Sequence, residues 1–360
     1  MFPVRVMFEG DFMKPFEELT HRGKLMRLRQ VARAALDAYG LANAQFKFIT
    51  NTGNSIFRVY AQSPVPVRAA HDLFLNNQYV LRIHQPGYMT AEEITSELEW
   101  LSALRCDAGV PVPEPVPTVN GELLVKVTAP GVPGMRNCSL LRWMKGRMLT
   151  KDIFPRHFRA VGRLMAQLHE HAVQWHPPQG FTRRHWDWDG LFGDTAGFGV
   201  PARVLWAEIP EPDLEPLETV ARHVRQVMDE LGKGKDVYGL IHSDLAVQDN
   251  MLFRGGEARA IDFDDCGYSY WMYDIAVTLS DWQEDKAWPT IRDALVGGYR
   301  EIRSLPEEQL AYLDIFMAAR HGTIMMWATG SAHLFPKYCE GAYRWREGAA
   351  RHVRRYVKGL

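Results

Sequence analysis

Four polar residues in one short span, His242, Asp244, Asn250 and Asp262, carry the chemistry that this sequence is equipped to do. They lie in the stretch from Ile241 to Asp265, where two apolar segments flank Gly255-Gly256. A two-residue glycine turn between such segments predicts a β-hairpin. Closing that hairpin brings the loop before Asn250 close to Asp262. One small volume then holds a carboxylate able to take a proton, Asp244, and two oxygen ligands, Asn250 and Asp262. Transfer of a phosphoryl group from Mg-ATP to a hydroxyl needs that set, because Mg²⁺ is a hard cation that takes oxygen ligands and the attacking hydroxyl must lose its proton. The competing reading is a plain hairpin with solvated turn carboxylates. It accounts for any one of these aspartates but poorly for the ordered set.

The elements that must position these groups follow from period and punctuation. Leu25, Leu28, Val31, Ala35 and Leu36 recur at helical spacing, which predicts a helix over 17–39 that Gly40 stops. Strands are expected at Gln45–Thr50, Ser55–Tyr60 and Gln78–Ile83. A second helix is expected over 90–105, with Thr90 and Glu93 as a capping box. The run from Val110 to Pro117 alternates with proline and reads as an extended connector. Asn120-Gly121 predicts a hairpin between Val116–Val119 and Leu123–Val127. Beyond about residue 146 the pattern is helical except for the chemical hairpin. A strand-rich N-terminal part therefore precedes a helix-rich C-terminal part, an α+β arrangement.

Composition narrows the function classes. A chain of 360 residues with 46% apolar and 24% charged residues is an ordinary globular protein, long enough for two domains or lobes. Its net charge of −1 gives no electrostatic case for nucleic acid. No stretch of about 18 apolar residues is present, so no membrane span is expected. Cys106, Cys138, Cys266 and Cys339 form no Cys-x-x-Cys unit and read as reduced thiols without zinc. Met1 to Gly10 makes a poor signal peptide, and a cytoplasmic site suits a user of ATP.

The runs Ile241 to Asp244, Asn250 to Phe253, Ala260 to Asp265 and Tyr273 to Ala276 together resemble the catalytic segment of the aminoglycoside phosphotransferase, choline kinase and homoserine kinase superfamily. The resemblance implies a bilobal protein-kinase-like fold. An N-terminal nucleotide-binding lobe with an antiparallel sheet would span residues 1–140, and a helical catalytic and acceptor-binding lobe 141–360. It implies Asp244 as catalytic base, His242 as the group that orients its loop, and Asp274 as the loop's anchor. ATP and Mg²⁺ are the implied cofactors. One departure concerns the metal site: Asp249 stands five residues after Asp244, where protein kinases place asparagine, and Asn250 stands six after. The strand after Asn250 favours Asn250 as the ligand, with Asp249 a further or alternative one.

By the same resemblance, the turn holding Gly53, Asn54 and Ser55 covers the phosphates, although a single glycine also fits a plain hairpin turn. Arg82 takes the place of the usual phosphate-binding lysine, with Glu97 as its expected partner and Glu99 the fallback; a surface ion pair is the competing reading. The segment with Leu140 and Arg142 corresponds to the adenine-binding connector. His169, His171 and His176 lack the spacing of a helical metal pair and read as structural. Aromatic and polar residues alternate from Arg183 to Asp189 and from Tyr268 to Trp271, which suits an acceptor wall and equally suits tryptophan packing. The implied partner is a small-molecule hydroxyl substrate such as an amino sugar, an amino alcohol or a homoserine-like metabolite, with no nucleic acid and no membrane. A protein Ser/Thr kinase is a rival, disfavoured because no Ala-Pro-Glu segment follows Asp262. A nucleotide-binding module without transfer is another.

Overall fold

The helical stripe near the N-terminus folds as expected and buries its apolar face. In the computed structural model, which describes residues 14–51, 53–62, 73–195, 198, 200–334 and 339–360, helix α1 spans His21–Ala38. Thr20 Oγ1 accepts from Gly23 N at 3.2 Å and caps it. Glu17 and Glu18, expected inside the helix, form a separate 3₁₀ turn before that cap. Leu28, Val31, Ala35 and Leu36 are all buried. Met1 to Gly10 lies outside the described residues.

Five strands follow: β1 (Gln45–Asn51), β2 (Ser55–Tyr60), β3 (Phe74–Ile83), β4 (Leu124–Val127) and β5 (Arg136–Met144). They form one sheet in the order β1-β2-β3-β5-β4. The pairs β1–β2, β2–β3 and β4–β5 run antiparallel. β2 alternates with period two, so Phe57 and Val59 meet Leu28, Val31 and Leu36 of α1, with Leu81 and Leu140 from neighbouring strands, in one core. The Asn120-Gly121 turn forms, with Thr118 N donating to Glu122 O at 2.7 Å, but the hairpin expected there does not. β4 pairs with β5 instead, and Val116 N donates to Leu140 O at 2.8 Å. Proline at 113, 115 and 117 removes every second donor, which limits that segment to single contacts along the sheet edge.

Helix α2 (Ala91–Ala108) comes between β3 and β4 in sequence. The chain nevertheless divides into two compact units that part the helix from those strands, one of Met1–Ala91 with Pro115–Trp143 and another of Glu92–Glu114 with Met144–Leu360. The second unit contains α2 because Trp100 packs edge-on against Phe263, with ring centroids 5.7 Å apart, and buried Arg183 donates to Glu93 O at 2.7 Å. The rest of that unit is α3 (Pro155–Gln174), α4 (Trp188–Leu191), α5 (Ala202–Ala207), α6 (Glu211–Leu231), β6 (Tyr238–Ile241), β7 (Met251–Arg254), β8 (Glu257–Ala260), β9 (Gly267–Tyr270), α7 (Trp271–Ser280), α8 (Trp288–Arg300), α9 (Glu307–Leu310), α10 (Leu313–Leu334) and α11 (Cys339–Lys358). β6 pairs with β9, and β7 with β8, each antiparallel. Every residue of α7 is buried, so this helix is the centre about which the second unit packs.

α3 and α8 approach at backbone contact. A Cβ on Gly162 would lie 2.1 Å from Leu295 O, and one on Gly298 would lie 2.0 Å from Arg159 O. Each glycine leaves room for the other helix's carbonyl. Gly162→Ala is therefore expected to force the helices apart and lower unfolding free energy by about 1–3 kcal/mol, the usual cost of overpacking. A urea titration followed by circular dichroism reads it; an unchanged midpoint would mean that the two helices cross with room to spare.

Candidate active site

β6 delivers the chain to His242, Ser243 and Asp244, and the loop is held from behind by Asp274. Asp274 sits in the first turn of α7 with no exposed surface. Its Oδ1 accepts from Ser243 N at 2.8 Å and its Oδ2 from His242 N at 3.3 Å. Oδ2 also accepts from His169 Nε2 at 3.0 Å. That bond requires the His169 tautomer whose Nδ1 accepts from the Tyr299 hydroxyl, 2.9 Å away. Burial lowers the proton affinity of His169, which the bond to Asp274 partly opposes. Among the described residues no cluster of histidine, cysteine and carboxylate fits a metal. His169 is bonded at both ring nitrogens, and Nε2 of its neighbour His171 lies 3.4 Å from Asp107 Oδ2.

Ser243 takes a left-handed backbone, φ 67°. This is an uphill conformation for a residue with a Cβ, and the loop sustains it because Ser243 is tied at both ends. Its N–H goes to Asp274 and its Oγ donates to Asp265 O at 2.6 Å. His242 is fully buried, and its Nε2 donates to Ile261 O at 3.0 Å. Its Nδ1 accepts from Asp244 N at 3.3 Å. His242 thus ties the loop carrying Asp244 to the strand leading into Asp262, without presenting a group of its own to solvent.

The two oxygens of Asp244 have separate donors. Asn250 Nδ2 donates to Oδ2 at 2.8 Å and to the Asp244 carbonyl at 2.8 Å. Two acceptors on one side fix the amide orientation and leave Oδ1 of Asn250 as its remaining acceptor. Arg320 Nη2, from α10, donates to Asp244 Oδ1 at 2.7 Å. The six-residue interval is taken up by a turn in which Asp249 N and Asn250 N both bond Ala246 O. That turn points Asn250 inward, where it is buried, and leaves Asp249 exposed.

The hairpin forms with both turn glycines at positive φ, Gly255 at 60° and Gly256 at 83°. This is the primed geometry that matches strand twist. Met251 pairs with Ala260, and one step further Ile261 N donates to Asn250 O at 3.0 Å. Register therefore sets Asn250 opposite the residue before Asp262. Asp262 is exposed and left-handed, φ 66°. The segment after it is gripped by Arg183, whose Nε donates to Cys266 O at 2.6 Å and whose Nη2 donates to Asp264 O. Asp264 and Asp265 thus contribute carbonyls to the loop's framework. Burial pushes the Cys266 thiol up to about 12, so it stays protonated.

Most of the aromatic side chains in the two segments pack inward. Trp186 Nε1 donates to Asp265 O at 2.8 Å, Trp188 Nε1 to Ala221 O at 2.7 Å, and the Tyr270 hydroxyl to Met228 O at 2.9 Å. Trp271 is buried. Trp186, Tyr270 and Trp271 build the support under the loop, while exposed His185 stacks on the partly buried Tyr268, ring centroids 5.0 Å apart.

In the first unit, Gly53 has φ 119° in the turn between β1 and β2; Thr52 lies outside the described residues. Asn54 Oδ1 accepts from Gln85 N at 3.1 Å and the Ser55 hydroxyl donates to Asn51 Oδ1 at 2.7 Å. Both side chains pin the turn. Arg82 is buried on β3, with Nε 3.4 Å from Ser139 Oγ. Leu140 and Arg142 are buried on β5. Glu97 belongs to the second unit, buried on α2 within reach of the charge of Arg183.

Sequence reasoning does not single out α10. Arg320 is its only Lys, Arg, Asp or Glu after Asp314, in an otherwise apolar helix. A lone cation in such a helix needs a buried counter-charge, and that is the available signal. Burial opposes the charge of Arg320, but Asp244, Tyr273 and Asp281 beside it hold its proton more tightly than usual. Next to it, His321 stacks on His352 of α11, centroids 4.1 Å apart and planes 6° from parallel. Burial, with His352 and Arg320 adding, pushes His321 down to about 3.

A family model described as the phosphotransferase enzyme family matches residues 64–310. The amicoumacin kinase of Bacillus subtilis is 24% identical over 83% of this chain and 84% of its own length. Among solved structures, a microcompartment-associated aminopropanol kinase is 29% identical, covers 91% of this chain and 97% of its own, and superposes with a TM-score of 0.75. The amicoumacin kinase hAmiN in complex with AMP-PNP, Ca²⁺ and Ami is 21% identical, covers 93% and 96%, and has a TM-score of 0.73, a likeness of fold.

Two outcomes follow from the buried groups. Asp274→Asn keeps the shape but turns an acceptor into a donor facing donors, so stability falls by about 1–3 kcal/mol in a denaturant titration. Stability is also lost as the pH falls below about 6.5, because the unfolded chain takes up a proton there that folded His321 refuses until about 3. The unfolded state binds more protons between those values, and folded His169, also shifted down, acts in the same direction. The melting temperature is expected to drop from pH 7 to pH 5, with a shallower slope in His321→Gln; equal slopes would remove His321 from the account.

Proposed function

We propose direct phosphoryl transfer to a small-molecule alcohol for this chain, which belongs to the phosphotransferase enzyme family and is a kinase with an alcohol group as acceptor. The observation that carries the reading is the pairing of Asp244 with Asn250, one register step from Asp262. The acceptor hydroxyl hydrogen-bonds the Asp244 carboxylate and attacks the γ-phosphorus of ATP as the bond to the β,γ-bridging oxygen breaks and ADP leaves; its proton passes to that carboxylate late in a loose transition state. His242 acts one step back, holding the loop.

Asn250 Oδ1 and the Asp262 carboxylate are hard oxygen donors of the kind Mg²⁺ takes alongside phosphate oxygens, and the exposed Asp249 carboxylate is a further donor of that kind. When bound, the ion neutralises charge on the phosphates. The remaining acceptor on Asn250 fits this role, since its Nδ2 is spent on Asp244. In the first unit, the backbone of the Gly53 turn and the Arg82 guanidinium have the chemistry to meet phosphate oxygens, and the Leu140–Arg142 backbone that to meet adenine. A structural relative named for aminopropanol supports an acceptor that carries both hydroxyl and amine. A cytoplasmic setting goes with the use of ATP, and no helix among the described residues is long and apolar enough to cross a membrane.

ADP release with Mg-ATP against amino alcohols, amino sugars, homoserine and test proteins checks the proposal. One small acceptor should stimulate release, and Asp244→Ala should reduce that by about 10²–10⁴-fold. Phosphate appearing on protein, or Mg-ATP binding with no transfer, would overturn it.

A further inference from the structure

We propose that Arg320 is a positioning residue for the transfer: it holds one oxygen of the Asp244 carboxylate while Asn250 holds the other, and so sets the direction from which the acceptor hydroxyl is received. The inference rests on Asp244 as the group that meets that hydroxyl.

The geometry is a charge-assisted bond of 2.7 Å from Nη2 to Oδ1, opposite a 2.8 Å bond from Asn250 to Oδ2. A carboxylate on a two-bond side chain has two soft rotations, and one donor on each oxygen removes both. Each oxygen keeps a lone pair for the incoming hydroxyl. The Asp244 side chain is 33% exposed and that of Arg320 22%, so the pair is partly open to solvent.

Arg320 is itself well fixed. It rises from α10, whose neighbours His321 and Thr323 are buried, and Tyr273 of α7, the helix that carries Asp274, lies beside it with its hydroxyl bonded to Thr323 Oγ1 at 3.4 Å. The same helix therefore sets the loop through Asp274 and packs Tyr273 beside the guanidinium. Asp281, the residue that ends α7, adds its charge to the same guanidinium and is exposed. A lysine would meet Oδ1 as a single point charge and leave the plane of the carboxylate less constrained.

Arg320→Gln, Arg320→Lys and Arg320→Ala are compared with the parent for kcat, for KM of Mg-ATP and of the acceptor, and for melting temperature. Loss of carboxylate alignment is expected to lower kcat by about 10²-fold in Arg320→Gln and Arg320→Ala. KM for Mg-ATP should stay within about twofold, because uniform binding is untouched. Arg320→Lys should recover part of kcat, and added guanidinium chloride at millimolar concentration should rescue Arg320→Ala. The double variant Asp244→Ala/Arg320→Gln should be no slower than Asp244→Ala, since Arg320 acts through Asp244. A stable Arg320→Gln with parental kcat sinks the proposal. So does a loss of kcat that only tracks melting temperature, with no gain from lysine or guanidinium, or a double variant slower than Asp244→Ala. An Asp244→Ala with parental activity would instead refute the reading of Asp244, a separate failure.

Discussion

Asp274 places a carboxylate in the first turn of α7 with no solvent to share its charge. A buried charge of this kind is costly unless donors surround it, and here they do: two loop amides, one imidazole and the N-terminal end of a helix. The dependence runs both ways. The loop amides of His242 and Ser243 have no strand partner at that bend, so the carboxylate that needs donors and the loop that needs an acceptor stabilise each other. That exchange permits the left-handed Ser243, and through it the position of Asp244. The fully buried α7 carries the anchor to every neighbouring helix.

From this anchor the site is built by register. His242 reaches Ile261, Asn250 pairs with Ile261, and Asp262 follows. Each link is a backbone or buried side-chain bond, which is why three groups on separate turns and strand ends occupy one region with little freedom. The left-handed conformations at Ser243 and Asp262 bracket this assembly. Strain at two such points persists where surrounding bonds over-determine the chain.

The helices that support the hairpin are themselves held at close range. Gly162 and Gly298 bring α3 and α8 to backbone contact, and His169 on α3 and Tyr299 on α8 extend that contact to Asp274. Helix packing and the polarity of the loop are thus one arrangement, since a shift of α8 would move the hydroxyl that hydrogen-bonds His169 Nδ1.

Local pattern alone identified α1, β2, the glycine hairpin and the ordered set His242, Asp244, Asn250 and Asp262, because period, turn chemistry and spacing are properties of neighbours in sequence. The resemblance carried by those residues also led to the family and the α+β fold. Tertiary structure decided what contiguous pattern does not encode. It turned Asn250 inward and Asp249 outward through a turn on Ala246, and paired β4 with β5 where a local hairpin was expected. It absorbed the aromatic segments around Trp186 and Trp271 into the core. It also brought Arg320, 76 residues beyond Asp244, onto that carboxylate. A contact of that separation depends on how α10 packs against α7, and a lone arginine in an apolar helix says that a counter-charge exists without saying where.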